Sequence, residues 1–594
     1  HTTPVLEKGA RSRPHRVDAT IEVGNARARE THTESIRPSL AGASMPTVAA
    51  HVAVTLAHHI DHVFGVMGNG NAYFLDALVR ETGAAFTAVR HEAGGVVAAD
   101  AFHRASGRLA GATATYGAGF TNTLTALAEA VQAHIPLVLV VGDEPTSGPR
   151  PWDVDQIALA SAVGARTYTV GRADAAATTV IAIEHALTYR VPTVLAIPYD
   201  VAALDAGPVP AAPAPRVPAP LAPAGAFAHG AIVELAHTLA SATHPLLLAG
   251  RGAWISGASE SLGKLAAATG AITASTALGR GVFPAPEFDL GVTGGFGAEG
   301  AMALIRQADV VVAFGASLDQ FTMRFGELFA PGTHIVQVDV AASATHPHVG
   351  GFIRGDARVV ADELLSQLEA ASASPSGWRE RVDVAALRAQ EVGDETAPDG
   401  RLDPRSAAAR IGELLPDDRV VVSDGGHFIG WANMYWPVAS PDRMLMIGTA
   451  FQSIGLGFPS VVGAALAKSQ STIVLTSGDG GGLMALADLE SAVRVARGRG
   501  LAVVWNDGAY SAEVHLYGIK GLAPEPMLIP EVDFAGLARS VGAEGVIVRT
   551  LNDLERLAEW VAKPVTERAF LLLDLRISGA IIAPYQREII RVNS

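Results

Sequence analysis

Ser477-Gly478-Asp479-Gly480-Gly481-Gly482 places one carboxylate among four glycines, directly after the apolar run Ile473-Val474-Leu475-Thr476. A plain turn needs one or two glycines; this many imply a close approach to the backbone and a partner for the acid. If Ile473–Thr476 is a strand of a parallel sheet, Asp479 lies at its C-terminal edge, where open α/β sheets bind ligands. The next helix is expected to begin near Leu483 and to offer its N–H groups to an anion. A carboxylate beside a phosphate is repulsive unless a divalent cation lies between them, and Mg2+ shares hard oxygen ligands readily with phosphates. The second ligand is expected at the end of the neighbouring strand. Val503-Val504-Trp505 reads as that strand, and Asn506-Asp507-Gly508 follows it, with Asn506 27 positions after Asp479. Its amide oxygen and a backbone carbonyl near Gly508 would complete the protein's ligands. Alone, each motif reads equally well as a flexible loop or a β-turn; their βαβ spacing joins them. The segment carries neither the dinucleotide fingerprint nor the P-loop pattern.

A second acid stands in a setting of small residues, His91-Glu92-Ala93-Gly94-Gly95. A carboxyl group in weakly polar surroundings holds its proton near neutrality, as a proton relay requires. The plain alternative is a capped or salt-bridged glutamate at a helix start. Further on, Thr115–Asn122 reads "TYGAGFTN", a turn whose glycines allow close packing.

These residues must be positioned by a large α/β chain. Its 594 residues carry a net charge of −15, which argues against a nucleic-acid surface. Half of the chain is apolar, enough for several buried cores. There is no cysteine, so disulfides, thiolate catalysis and cysteine-ligated metals are excluded. No apolar run is long enough to span a membrane, and the N-terminus lacks a signal-peptide core; a soluble cytoplasmic protein is the simplest expectation. Residues 1–44 are polar and aperiodic and read as a flexible extension, with Met45 opening the patterned chain. Three α/β blocks follow, over 45–205, 226–370 and 401–594. A Pro/Ala-rich linker (206–225) and a polar one (371–400) join them. Strands are expected at Ile135–Val141 in the first block and at Pro245–Ala249, Val310–Phe314 and Ile335–Val340 in the second. In the third they are expected at Val420–Ser423, Ile473–Thr476, Ala502–Trp505 and Phe570–Leu575.

With these motifs in this order, the sequence resembles the thiamine diphosphate enzymes of the acetolactate synthase, pyruvate oxidase and 2-oxo acid decarboxylase superfamily, over roughly residues 47–580. The resemblance implies pyrimidine-binding, central and diphosphate-binding domains in that order, with thiamine diphosphate and Mg2+ as cofactors. It makes Asp479 and Asn506 the side-chain Mg2+ ligands and Gly508 the backbone ligand, with Gly478, Gly480 and Gly481 around the diphosphate. Asp424-Gly425-Gly426-His427 is similar to the family's loop over the diphosphate and thiazolium. Ile454, in "SIGLGFP", matches the apolar wedge under the thiazolium. Glu92 matches the glutamate that hydrogen-bonds N1′ of the aminopyrimidine and starts proton removal from C2. Gly117 and Asn122 match the turn beside the cofactor. The family's cofactor lies between the first block of one subunit and the third of another, so a homodimer or homotetramer is implied.

The sequence departs from the family's subtypes in informative places. Asn69 stands where the pyruvate decarboxylase type carries an aspartate, and its histidine pair is missing after Val140-Val141-Gly142-Asp143. Asp143 also replaces the glutamine of the synthase type, whose Phe-Gln-Glu segment is represented at best by Trp152-Asp153. Glu513 and His515 lie on a segment that overlies the thiazolium in relatives. His91, His427 and Glu513 are therefore the candidate proton donors or substrate contacts beside Glu92. FAD occupies the middle block of some relatives; Gly250-Arg251-Gly252 is too short a signal to imply it, and FAD stays the lesser alternative. The resemblance implies a transferase or lyase acting on small carbonyl substrates. The leading reading is an acetolactate synthase-like carboligase for a 2-oxo acid or 2-hydroxy ketone. A non-oxidative decarboxylase, a C–C hydrolase of a diketone and a catalytically silent subunit are the alternatives.

Overall fold

The computed structural model describes residues 46–593; the expected extension over 1–44 lies outside them. Among the described residues the chain builds three six-stranded sheets in which every paired strand is parallel. The first contains β1 (His62–Gly65), β2 (Ala85–Ala88), β3 (Ala110–Ala114), β4 (Leu137–Asp143), β5 (Arg166–Thr169) and β6 (Pro192–Pro198). The second contains β7 (Pro245–Ala249), β8 (Ile272–Ser275), β9 (Asp289–Val292), β10 (Val310–Phe314), β11 (His334–Asp339) and β12 (Gly351–Arg354). The third contains β13 (Arg419–Ser423), β14 (Met444–Met446), β15 (Thr472–Gly478), β16 (Gly500–Asn506), β17 (Glu544–Val548) and β18 (Leu571–Arg576). The central strands β4, β15 and β16 are buried at every position, as helix-covered parallel strands must be.

The first and third sheets share one strand order, β2-β1-β3-β4-β6-β5 and β14-β13-β15-β16-β18-β17. The middle sheet runs β12-β11-β10-β7-β8-β9, a doubly wound order that reverses between β7 and β10.

Of the eight expected strands, Pro245–Ala249 and Val310–Phe314 keep their bounds and the other six differ by one or more residues at an end; two of these differences have a local account. The run from Ile135 enters its sheet only at Leu137, because Pro136 has no N–H to give to a ladder. The strand from Ile473 runs on to Gly478, where Ser477 and Gly478 pair with Val504 and Trp505. The polar stretch 371–400 is more than a linker: Trp378 and Val384 are buried in the core of the middle sheet. No regular element occupies 206–224.

The first and third sheets are joined through two helices, Glu92–Ser106 and Gly457–Ala467. His91 caps the first, its Nδ1 accepting from Ala93 N at 3.2 Å, and Gly107 ends it at φ 71°. The two helices touch backbone to backbone: a Cβ at Gly463 would lie 1.9 Å from Ala98 O and 2.8 Å from Phe102 N. Around this contact one continuous core holds Val96 and Phe102 from the first block and Phe458 and Val462 from the third. A buried ionic group braces the same junction. Arg104 pairs with Asp100 and Glu129 and donates to Met446 O at 2.9 Å. Glu129 in turn accepts from Phe451 N at 2.7 Å.

Gly463→Ala tests this contact. Alanine favours a helix by about 1 kcal/mol, but overpacking a rigid backbone contact costs typically ~1–3 kcal/mol. The expected net result is a lower thermal unfolding midpoint than wild type, measured by calorimetry; an unchanged or raised midpoint contradicts the close packing.

Candidate active site

The loops at the C-terminal ends of β13 and β15 converge with the Gly455-Leu456 turn, and the residue that gathers them is Asp424. It is fully buried immediately after β13. Its carboxylate accepts from the N–H groups of Gly425 at 2.9 Å, Gly455 at 3.1 Å and Leu456 at 3.1 Å, and from Ser477 Oγ at 3.2 Å. Burial pushes this carboxyl up to about 6 against the pull of those hydrogen bonds. Ile454 is thereby held beside the β13 loop, its Cγ2 3.3 Å from where a Cβ of Gly425 would be. Gly426 follows at φ 140° and is exposed.

Asp479 is 3 % exposed and opens a short helix, Asp479–Met484. The helix thus starts at the acid itself rather than near Leu483; Gly480–Gly482 lie within it and Gly478 caps it. Asp479 accepts from Gly480 N and Gly508 N, both at 2.9 Å. The second bond ties the end of β15 to the turn after β16. Gly508 O accepts from Ile529 N at 2.8 Å, so one lone pair of the expected backbone ligand is already used. Asn506 closes β16, and its amide NH2 donates to Asp574 Oδ1 at 2.9 Å and Val532 O at 3.2 Å. With both N–H groups committed, no hydrogen bond among the described residues uses its oxygen. Burial, and then the nearby charge of Asp507, push Asp479 up to about 6.

Asp507 has the opposite fate. Burial would raise it, but His427 Nε2 at 3.2 Å and Ser511 Oγ at 2.6 Å hold its carboxyl below the ordinary value. Among the described residues its other oxygen, Oδ1, is buried without a partner. His515 stands edge-on to His427, ring centroids 5.9 Å apart, and its Nε2 lies 2.8 Å from Gly579 O. Glu513, on the Ser511–Tyr517 helix, is exposed and its carboxylate has no hydrogen bond among the described residues.

The first block supplies a second group. Glu92 is the first residue of its helix and only partly buried in the chain, not enclosed in an apolar pocket. Asn122 Nδ2 donates to Glu92 Oε2 at 3.0 Å, and Glu92 Oε1 lies 3.4 Å from where a Cβ of Gly119 would be. The preceding turn depends on Gly117 at φ 59°, whose N–H donates to Gln156 Oε1 at 2.8 Å. Gln156 also donates to Gly142 O and Asp143 Oδ1. His91 is exposed at the helix cap. Among the described residues, no hydrogen bond, ion pair or ring contact joins the Glu92–Asn122 group to the Asp479–Asn506 group.

Three family models match the chain in order: the thiamine pyrophosphate enzyme N-terminal TPP binding domain over 46–161, the central domain over 232–364 and the C-terminal TPP binding domain over 424–575. The chain belongs to the thiamine pyrophosphate enzymes. Each model falls on one of the three parallel sheets. The match runs nearly end to end in named relatives. The acetolactate synthase isozyme 3 large subunit of Escherichia coli K12 is 26 % identical, covering 88 % of this chain and 93 % of its own length. The sulfoacetaldehyde acetyltransferase of Roseovarius nubinhibens is 27 % identical, covering 92 % and 94 %. A probable acetolactate synthase large subunit of Methanocaldococcus jannaschii is 26 % identical, covering 89 % and 91 %.

The residues of this thiamine pyrophosphate enzyme fit a diphosphate–metal group. Asp479 and the unengaged Asn506 oxygen are hard oxygen donors on adjacent strand ends, and the orphaned Asp507 Oδ1 beside them adds negative charge. Reasoning from sequence missed Asp424, Asp507, Asp574 and Gln156 as site-builders. Asp424 and Asp507 adjoin motifs already singled out, so their adjacency was a usable signal. Asp574 and Gln156 act on backbone or amide groups far away in sequence, and no local pattern marks them.

Asp424→Asn turns an amide NH2 toward a nest of N–H donors. A lost buried acceptor costs about 1–3 kcal/mol. The variant is expected to unfold at lower temperature and to be cleaved faster within 447–456 under limited proteolysis; wild-type values in both assays would remove Asp424 from this role.

Proposed function

We propose that the enzyme uses thiamine pyrophosphate and Mg2+ to cleave a 2-oxo acid or 2-hydroxy ketone and to hand the acyl unit to a second carbonyl acceptor, as an acetolactate synthase-like carboligase. The observation that supports this most is the end-to-end similarity to proteins named acetolactate synthase and acetyltransferase. Glu92 held by Asn122, and Asp479 beside Asn506 on adjacent strand ends, also support it.

When bound, thiamine pyrophosphate supplies a carbon centre that stabilises the carbanion left by C–C cleavage. Asp479, Asn506 and the free lone pair of Gly508 O would hold Mg2+. Gly478, Gly480 and Gly481 form the backbone beside it, and Gly425, Gly426 and Ile454 flank it from the β13 side. Glu92, with Oε2 fixed by Asn122, is placed to hold or pass a proton at Oε1, and Gly117 sets the turn that brings Asn122 to it. His427, steadied by Asp507, is a proton-bearing ring whose charge reaches Asp479; His91 and Glu513 are outer candidates. Glu92 and Asp479 share no contact within one chain, which supports a site completed by a second copy. Flavin lies outside the proposal. Gly250 and Gly252 meet Gly315 so closely that added Cβ atoms would lie 2.3 Å and 2.8 Å from its backbone, which supports a structural role for this end of the middle sheet.

Incubated with pyruvate, thiamine pyrophosphate and Mg2+, the wild-type chain is expected to release acetolactate, detected by mass spectrometry. Acetaldehyde alone would favour the decarboxylase reading instead. Glu92→Gln is expected to keep calorimetric cofactor affinity within a few-fold while turnover falls at least ~100-fold, the usual scale of a lost acid–base group; wild-type turnover would clear Glu92 of the proton role.

The raised Asp479 carboxyl adds a pH prediction. A cation there must displace a proton, so apparent Mg2+ affinity is retained above about 6 and falls as pH drops from 7 to 5. The expected loss is about tenfold, read by Mg2+ titration of the cofactor-saturated protein; affinity independent of pH over this range would exclude Asp479 as a ligand.

A further inference from the structure

A cavity of about 900 Å3 opens where Phe86–Ala88 of the first block meet Arg494–Arg499 and the loop Val565–Arg568 of the third. It adjoins Gly500, the first residue of β16, whereas Asn506 is the last. The cavity and the metal ligands therefore lie at opposite ends of one strand, roughly 20 Å apart.

Four arginines line it: Arg494, Arg497, Arg499 and Arg568. Arg494 is paired with Glu490 at 2.8 Å and donates to Ala88 O at 2.7 Å. The other three meet only backbone carbonyls or a ring. Arg497 is exposed and makes one long bond, 3.4 Å, to Arg494 O. Arg499 donates to Ala465 O, Lys468 O and Ser471 O at 3.1–3.3 Å. Arg568 donates to Lys563 O at 2.7 Å and Val561 O at 2.5 Å and lies 4.6 Å over the Trp560 ring. Among the described residues, none of these three pairs with a carboxylate, although the chain carries 59 acidic residues to 44 Lys and Arg. Burial pushes the Arg499 and Arg568 guanidinium groups down.

The convergence is built into the backbone. A Cβ at Gly498 would lie 2.3 Å from Val565 O and 2.6 Å from Arg568 O, so the Arg497–Arg499 turn is locked onto the second arginine-bearing loop. Arg497 is held at φ 50°, ψ −135°, a conformation suited to glycine, and its single long bond does not explain the strain. The carbonyl end of the Leu489–Ala496 helix also points here and disfavours an anion, so any anion must be held by the arginines. Gathering unpaired cations in partly buried space costs energy that an anion of matching geometry would recover. Phe86 and Leu466 supply an apolar wall.

We propose that this cavity binds an organic phosphate, its phosphate oxygens on Arg497, Arg499 and Arg568 and its carbon skeleton against Phe86 and Leu466. The site is separate from the cofactor's diphosphate site and bridges the first and third blocks.

The test uses the full chain saturated with thiamine pyrophosphate and Mg2+, so that the cofactor site is filled, titrated calorimetrically with ADP and separately with inorganic phosphate. Wild type is expected to bind ADP with Kd below about 1 mM and more tightly than phosphate. Arg497→Gly removes a cation while suiting the backbone, so its thermal midpoint is expected to match or exceed wild type while ADP affinity falls tenfold or more. No ADP binding to wild type overturns the proposal. Equal ADP affinity in the variant overturns it too, by placing the anion elsewhere. Phosphate binding as tightly as ADP overturns the organic part.

Discussion

Most of this architecture depends on one backbone contact, the crossing of the Glu92–Ser106 and Gly457–Ala467 helices at Gly463 and Ala98. Each helix begins just beyond a half-site: Glu92 is the first residue of one, and Ile454-Gly455-Leu456 leads into the other. When two such helices touch without an intervening side chain, neither can slide without driving one backbone into the other. The geometry of the two half-sites within a chain is therefore fixed by packing. The ionic group of Arg104, Asp100 and Glu129 extends this constraint, because Glu129 holds Phe451 N and Arg104 holds Met446 O on either side of the turn that leads to Ile454. Breaking a buried group of this kind would leave charges uncompensated, so the loop inherits the rigidity of the junction.

The sequence was most legible where chemistry and periodicity coincide. Asp479, Asn506 and Glu92 stand at strand or helix ends because those ends are marked by apolar runs, and the runs are real strands: Pro245–Ala249 and Val310–Phe314 appear with the expected bounds. Less legible were residues whose partner is a backbone N–H or amide distant in the chain. Asp424 organises Gly455 and Leu456 from 31 and 32 positions away, and Asp574 orients Asn506 from 68. Asp424 at least stands beside the Gly425-Gly426 pair of a marked loop, whereas Asp574 has no local signature, since what identifies it is the folded geometry. The 371–400 stretch failed for another reason: its polar composition hides the two anchors, Trp378 and Val384, that pin it to the middle core.

The glycines of Ser477–Gly482 show how one pattern can carry a different cause from the obvious one. From sequence they suggest room for a diphosphate. In the fold each is crowded by protein. An added Cβ would lie 2.5 Å from the Tyr510 ring at Gly480, 2.6 Å from Asp424 at Gly481, and 3.0 Å from the rings of Phe428 at Gly478 and Phe534 at Gly482. The run is therefore needed first to let three neighbouring segments, carrying Asp424 and Phe428, Tyr510, and Phe534, close on the Asp479 helix. Any approach of a ligand to this backbone is an added use of the same bareness. The middle sheet makes the same point, because its glycine-bearing strand ends are packed against each other.

The charges around Asp479 give the last step. Two carboxylates, Asp479 and Asp507, lie within mutual influence in a buried place and are driven in opposite directions, one raised and one lowered. His427 pairs directly with Asp507 and acts on Asp479 only at a distance, and among the described residues Asp507 still leaves one oxygen unpartnered. A buried cluster with surplus negative charge can relax in two ways: Asp479 takes a proton, or a cation arrives. The neighbouring Asn506 oxygen offers nothing to the first solution and a ligand to the second. The surplus charge and the idle oxygen are two demands that one hard divalent cation would meet together, which is why the proposed Mg2+ ligands centre on this pair.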